Sequence, residues 1–366
     1  MLLASASRKW RVGAIIAVLI GIFEAQLLLS VPHYSQTIDE SVHIFSGYEY
    51  WHYGDFGANP EHPPLVKFVA TVPLLFQNIR NVPLSTGPTK ASTDAASTRL
   101  LYQNDARRIL FSTRGAVSIF GIVLLVLCSL WAYEAFGGGP ALVVASLIAF
   151  DPNLITNAGL VTTDMGITCL SVAVVYSLYR FLNRPTIARL LICGFALGLA
   201  LASKHSAILL PPIMCVLFVS EWWTQRKQVG IPRFPLTTGW RLLLAIVAIF
   251  VIAWSVLWVF YGFRFEARPA GLELQPKLDA YARTLQGPMR TSAISFMQQH
   301  RLLPEPYLWG LTDVLLANGG RATFILGKVV PDRAVVFLPS HFSNEGTAKF
   351  ADPSLHHTGG LLETED

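Results

Sequence analysis

A chain of 366 residues with 52% hydrophobic and 14% charged side chains and a mean hydropathy of +0.47 is not composed like a soluble domain, which carries about 25% charged residues. One oversized core cannot absorb that much apolar surface, so the composition asks for lipid as solvent. The net charge of +5 does not indicate nucleic acid: no basic stripe with interleaved aromatics is present, and the basic residues sit in short loops where they set membrane orientation.

In chain order, seven segments approach the roughly 20 apolar residues of a spanning helix: residues 12–31, 114–133, 140–157, 164–182, 187–203, 205–223 and 241–261. The expected fold is an all-α polytopic membrane protein of about seven transmembrane helices. Lys9 and Arg11 precede the first segment as in a signal peptide. Its apolar run nevertheless continues past Glu24 to Val31 without a convincing cleavage site, so a retained helix is expected. Glu24 either pairs inside the bundle or faces a hydrophilic cavity. The four cysteines, Cys128, Cys169, Cys193 and Cys215, all fall in apolar segments and read as small buried hydrophobes.

Lys9 and Arg11 place the N-terminus in the cytoplasm. With seven spans, Arg180, Arg184 and Arg189, then Arg226, Lys227 and Arg233, fall on the same side, in keeping with the positive-inside rule. Asp39, Glu40, residues 61–67, Asp164, Lys204, Arg264 and the segment 262–320 then share the external face. Lys204 has almost no loop around it, and a charge pinned so close to hydrocarbon faces a cavity or a partner.

The external loop 32–113 has structure of its own. Residues 40–53 have helical spacing. Residues 64–76 are apolar, too short to span and broken by proline, the pattern of an interfacial or re-entrant helix. Residues 81–100, rich in Ser, Thr, Pro and Ala, read as its mobile part. Tyr48, Tyr50, Trp51 and Tyr53 read as an interface belt ahead of a sugar-stacking platform.

The run Asp39-Glu40-x-x-His43 followed by Glu61-His62-Pro63-Pro64-Leu65-x-Lys67 resembles the first external loop of the phospholipid-carrier-dependent glycosyltransferases of the GT-C class. These include the protein O-mannosyltransferases and the lipid A aminoarabinose transferases. Asp151-Pro152-Asn153, Thr162-Thr163-Asp164 and Gly198-x-x-x-x-Ser203-Lys204 resemble the same family's later external turns, so the resemblance covers about residues 10–325. It implies a membrane enzyme that moves a sugar from a polyprenyl phosphate to a hydroxyl on protein, lipid or polysaccharide, with inversion, outside a bacterial cytoplasmic membrane. Protein O-glycosylation and lipopolysaccharide modification are the roles it implies.

By this resemblance Asp39 is the general base. Catalytic Glu40 and supporting Asp164 orient it or bind a cation, with a structural helix-cap role for either close behind. The departing phosphate needs positive charge in a poorly solvated place: Lys204 first, then Lys67, with Arg264 and Arg114 behind. With Asp164, His43, Glu61 and His62 are the supporting residues. No cofactor is certain; Glu61, His62 and Asp164 are the candidate ligands of a divalent metal, while for His62 a turn-holding role before Pro63 is the simpler reading.

The expected organisation is a transmembrane module over 1–261 carrying the catalytic loop 32–113, then an external segment and the start of a further helix over 262–330. A polar, atypical, disordered tail follows over 331–366, where family members continue with membrane helices. This departure suggests a truncated or frame-shifted product whose activity is in question. A transporter or flippase of a lipid-linked substrate is the alternative, but it would show inverted repeats or broken midplane helices. A scaffold would not need Asp39 and Glu40.

Overall fold

The computed structural model describes residues 2–80, 82, 90–227, 239–269, 271–317, 323–325 and 328–330. The chain divides into two units, Met1–Leu315 and Leu316–Asp366. Among the described residues the regular elements of the first are helices: α1 (Leu2–Ser30), α2 (Ile38–Tyr53), α3 (Leu65–Thr71), α4 (Lys90–Tyr102), α5 (Ala106–Val117), α6 (Ile119–Phe136), α7 (Gly138–Phe150), α8 (Pro152–Ala158), α9 (Thr163–Asn183), α10 (Ile187–Ser203), α11 (Leu210–Lys227), α12 (Gly239–Phe260), α13 (Leu278–Ala282), α14 (Pro288–Gln299) and α15 (Glu305–Ala317), whose last two residues belong to the second unit. In the second, β1 (Thr323–Ile325) pairs antiparallel with β2 (Lys328–Val330), Phe324 opposite Val329. The expected tail over 331–366 lies outside the described residues.

Among the described residues, five helical stretches are long and apolar enough to cross a membrane: Lys9–His33, Ala106–Phe136, Thr163–Asn183, His205–Thr224 and Trp240–Phe260. The chain is an all-α polytopic membrane protein, but the expected seven spans become five or six. The expected span 140–157 is α7 and α8, bent by 63°. The break is at Pro152, which cannot continue a helix but suits the first position of a new one, while the Asp151 carboxylate accepts from Leu154 N–H at 2.9 Å to cap α8. The expected span 187–203 is a helix of 17 residues, about 26 Å at 1.5 Å per residue and so at the short end for a span. It runs back antiparallel to α9, with Arg189 bonded to the Arg180 carbonyl at one end and Lys204 paired with Asp164 at the other.

The bundle is closed by small residues. A Cβ on Gly194 or Gly198 would collide with Ile252, Val256 and the carbonyls of Ile249 and Ala253, so this Gly-x-x-x-Gly stripe lets the backbones of α10 and α12 approach closely. Glu24 pairs inside the bundle, accepting from Ser118 Oγ at 2.9 Å.

The loop 32–113 is mostly helix. α2 begins at Ile38, and residues 65–76 form α3 and a 3-10 turn (Val72–Phe76). The expected mobile stretch 81–100 is corrected over its second half: Lys90–Tyr102 is α4, with Ala96, Ser97 and Leu100 buried. The aromatic run is also corrected. Trp51 and Tyr53 are exposed, but Tyr48 and Tyr50 are core residues, with Tyr50 packed on Phe56 and Phe68.

Candidate active site

The N-terminus of α2 is fixed by Glu40. Its carboxylate accepts from its own helix start, Thr37 N–H, at 2.9 Å, and from Val161 N–H at 3.2 Å. Arg114 Nε donates to one oxygen at 2.8 Å and Nη2 to the other at 2.7 Å. The remaining Arg114 N–H groups go to the carbonyls of Val31, Tyr34 and Ser35. Burial raises the Glu40 pKa, but the Arg114 and backbone hydrogen bonds outweigh it and hold it below the usual value.

Neither partner of this closed pair is available to substrate. Glu40 is 0% exposed and Arg114 has donated all five of its N–H groups. The expectations of a catalytic Glu40 and a phosphate-gripping Arg114 give way to a buried clamp. Asp39, one residue earlier on the helix, is left exposed.

Asp39 opens onto a cavity of about 210 Å³. Its wall comes from α2 (Ile38, Asp39, Val42, His43), the loop Gly57–His62, the start of α4 (Lys90, Thr93, Asp94), and Leu274, Gln275 and Trp309 from the later segment. His43 and His62 meet edge to face at 5.2 Å. Burial, then the nearby Lys67, depresses both imidazoles, His62 to about 3, so both are neutral. Lys90 sits at the rim, bridging Glu61 and Asp313 at 3.0 Å each.

Lys67 does not reach this cavity as a free charge. It is wholly buried, and its Nζ donates to Tyr50 Oη at 2.9 Å, Asn59 O at 2.6 Å and His62 O at 2.9 Å. Burial pushes its pKa down, while the three oxygens account for every hydrogen of an ammonium. Lys67 therefore holds the loop that forms the cavity wall, and the expected phosphate contact is corrected to this role. The same loop is tied down from behind: Arg268 grips Asp55 through two nitrogens at 2.9–3.1 Å, both residues buried.

The family model described as dolichyl-phosphate-mannose-protein mannosyltransferase matches residues 106–258. Over that stretch the chain is GT-C glycosyltransferase-like. No curated protein matches the chain. The match supports an integral membrane glycosyltransferase of the GT-C type, mannosyltransferase-like, with a lipid-linked sugar donor. It runs from α5 to α12 and includes Arg114, Asp164 and Lys204; Asp39 and the cavity loop precede it.

Within the GT-C-like stretch, Lys204 at the end of α10 pairs with Asp164 at the start of α9 at 2.5 Å, both partly exposed. Neither Lys204 nor Asp164 lines the cavity, but the charges of both act on His62, which does. At the opposite end of α9, Arg180 meets Glu134 at 3.6 Å.

Arg264 stands apart from the cavity. It donates to the carbonyls of Gly54, Glu266 and Ala267, and it edges an apolar groove of about 610 Å³ between α3 and the end of α12. Among the described residues no group of three His, Cys, Asp or Glu side chains is arranged to hold a metal ion, so Glu61, His62 and Asp164 do not form the candidate ligand set. Glu61 is turned instead to Lys90, and Asp164 to Lys204.

Sequence reasoning missed Asn59, Lys90, Asp94 and Trp309 in the cavity wall. Asn59 lies two residues before Glu61 and could have been included with the motif. Lys90 and Asp94 sit in an unremarkable polar stretch, and only the packing of α4 against α2 brings them in.

Proposed function

We propose that this protein transfers a sugar from a polyprenyl-phosphate carrier to a hydroxyl on protein, lipid or polysaccharide, with Asp39 as general base. The observation that carries this reading is an exposed Asp39 at the mouth of a cavity, on a helix end clamped by Glu40 and Arg114. The acceptor hydroxyl attacks the anomeric carbon from the Asp39 side, and the carboxylate takes its proton. The carbon–oxygen bond to the carrier phosphate breaks as the new glycosidic bond forms, so configuration inverts in a single displacement. The polyprenyl phosphate leaves with the electron pair and needs no general acid.

Lys204 is the cation best suited to receive that charge. Of the four basic residues considered, Lys67 and Arg114 have no N–H left to give, and Arg264 edges a different groove. Lys204 is held by one exposed carboxylate, Asp164, and its charge acts on the cavity residue His62. The donor phosphate then sits at Lys204, the sugar in the cavity and the acceptor at Asp39. With the N-terminus cytoplasmic, this face is the periplasmic face of a bacterial inner membrane. The organisation that fits is a membrane module over 1–261 with its catalytic loop 32–113.

The test is release of polyprenyl phosphate from a panel of polyprenyl-phosphate sugars by the protein in lipid, beside Asp39→Asn. Turnover that falls by about 10²–10⁴ in the variant supports the reading, this being the usual contribution of a general base. Equal turnover in both would sink the role of Asp39.

A further inference from the structure

Two polar side chains in the cavity wall have no work in the mechanism above. His43 is 3% exposed and Asn59 is 7% exposed. Both line the cavity, and His43 Nδ1 and Asn59 Oδ1 are enclosed without a hydrogen-bond partner. Buried polar atoms are normally paired, so each such exception asks for a cause.

Their enclosed atoms fix what the accessible edges offer. His43 is neutral because it is buried, against His62 and within the field of the Lys67 and Lys204 charges, so it carries one N–H and one bare nitrogen. An orphaned buried N–H is rarer than an under-used acceptor. The bare nitrogen is therefore the enclosed Nδ1, and Nε2–H is the edge left for the cavity. Asn59 follows the same logic: its oxygen is the enclosed end, leaving the Nδ2 amide hydrogens for the cavity.

The same wall carries the carboxylates Asp39, Glu61 and Asp94, and among the described residues lining it Lys90 is the one cation, already shared between Glu61 and Asp313. Neutral N–H donors beside carboxylate acceptors match a group that both accepts and donates, which is a hydroxyl. A phosphate would accept from the donors but would face three carboxylates. We propose that His43 and Asn59 read the hydroxyls of a single neutral sugar ring, and so set the sugar specificity of this cavity. The inference rests on the glycosyltransferase reading for the origin of that ring.

The experiment has two arms, so that the two ideas fail separately. In the first, the protein in lipid nanodiscs is heated with and without methyl glycosides at high millimolar concentration, or with inorganic phosphate. Wild type and Asp39→Asn are expected to be protected by at least one methyl glycoside and not by phosphate. His43→Leu and Asn59→Leu are expected to lose that protection, while His43→Gln, which restores a neutral N–H, keeps part of it. Protection by phosphate alone, or undiminished glycoside protection in both leucine variants, would overturn the proposal.

In the second arm, the sugar donor that turns over is compared with its deoxy analogues. Wild type should prefer the full hydroxyl set by roughly three- to ten-fold for each lost hydrogen bond. That preference should collapse, mainly in KM, in the variant facing the missing hydroxyl. Unchanged discrimination in both variants overturns the inference but leaves the transferase reading intact. Glycoside protection without turnover of any donor does the reverse.

Discussion

Glu40 and Arg114, 74 positions apart in the chain, complete each other's hydrogen bonding at zero to 1% exposure. The carboxylate receives four hydrogen bonds and the guanidinium gives all five of its own. The pair ties α2, the 31–35 turn, α5 and the Val161 loop into one body, and Asp39 is the next residue along. Removing one partner of such a pair strands a buried charge, at a cost of about 3–5 kcal/mol. Glu40→Gln and Arg114→Ala should each lower the thermal midpoint in detergent sharply. Arg114→Lys should not rescue, since an ammonium cannot supply five donors in a planar fork. A normal midpoint with lost turnover would instead return Glu40 to the chemistry.

Much of this was legible in the sequence and some was not. Apolar run lengths located the helices, because lipid imposes length and hydropathy on any span. They could not foresee that Asp151-Pro152 would split a segment into two pieces. The Asp-Glu and Glu-His-Pro-Pro motifs led to the right loop, since Asp39, His43, Glu61 and His62 do line one cavity. The motifs did not separate charges that face the cavity from charges spent on holding it. Glu40, Lys67 and Arg114 are all of the second kind, and the difference lies in partners up to 121 residues away.

Lys67 and Lys204 should therefore respond differently to the same substitution. Lys67→Met leaves Tyr50 Oη and the His62 carbonyl buried without their donor, and the Asn59 carbonyl with Tyr50 Oη–H at 3.2 Å in place of two donors. At about 1–3 kcal/mol for an abandoned buried polar group, the thermal midpoint should fall and turnover should fall with it. Lys204→Met loses one partly exposed ion pair of small structural value, so the midpoint should hold while donor KM rises. Steady-state kinetics beside thermal unfolding separates the two. A large stability loss in Lys204→Met would mark that lysine as structural as well.

The stripe on α10 makes a packing prediction. Gly198 faces Val256 and the Ala253 carbonyl so closely that even a Cβ cannot be placed without movement. Gly198→Leu should force α10 from α12, costing about 1–3 kcal/mol or more as overpacking, and carry Lys204, at the end of the same helix, out of register with Asp164. Gly139, with nothing near its Cβ position, is the control: Gly139→Ala should leave the midpoint within experimental error. Equal behaviour of the two variants would mean that α10 and α12 do not depend on this contact.

Glu49 gives the fold a pH dependence of its own. It lies on α2, 2% exposed with Oε1 unpartnered. Burial first, then the neighbouring Asp55, raises its pKa to about 7 against the opposing pull of Arg268. In the unfolded chain the carboxyl titrates near its ordinary value of 4.5. Between these values the unfolded chain has released a proton that the folded chain keeps, so stability falls as pH rises. The contribution is fully present below the unfolded value and gone once the pH passes the folded one. Glu49→Gln cannot lose that proton, so its thermal midpoint should draw progressively above wild type between pH 5 and 8. Unfolding curves in detergent across that range would decide it: midpoints that run parallel mean Glu49 is already ionised in the folded protein, paired closely enough with Arg268 to cancel its burial.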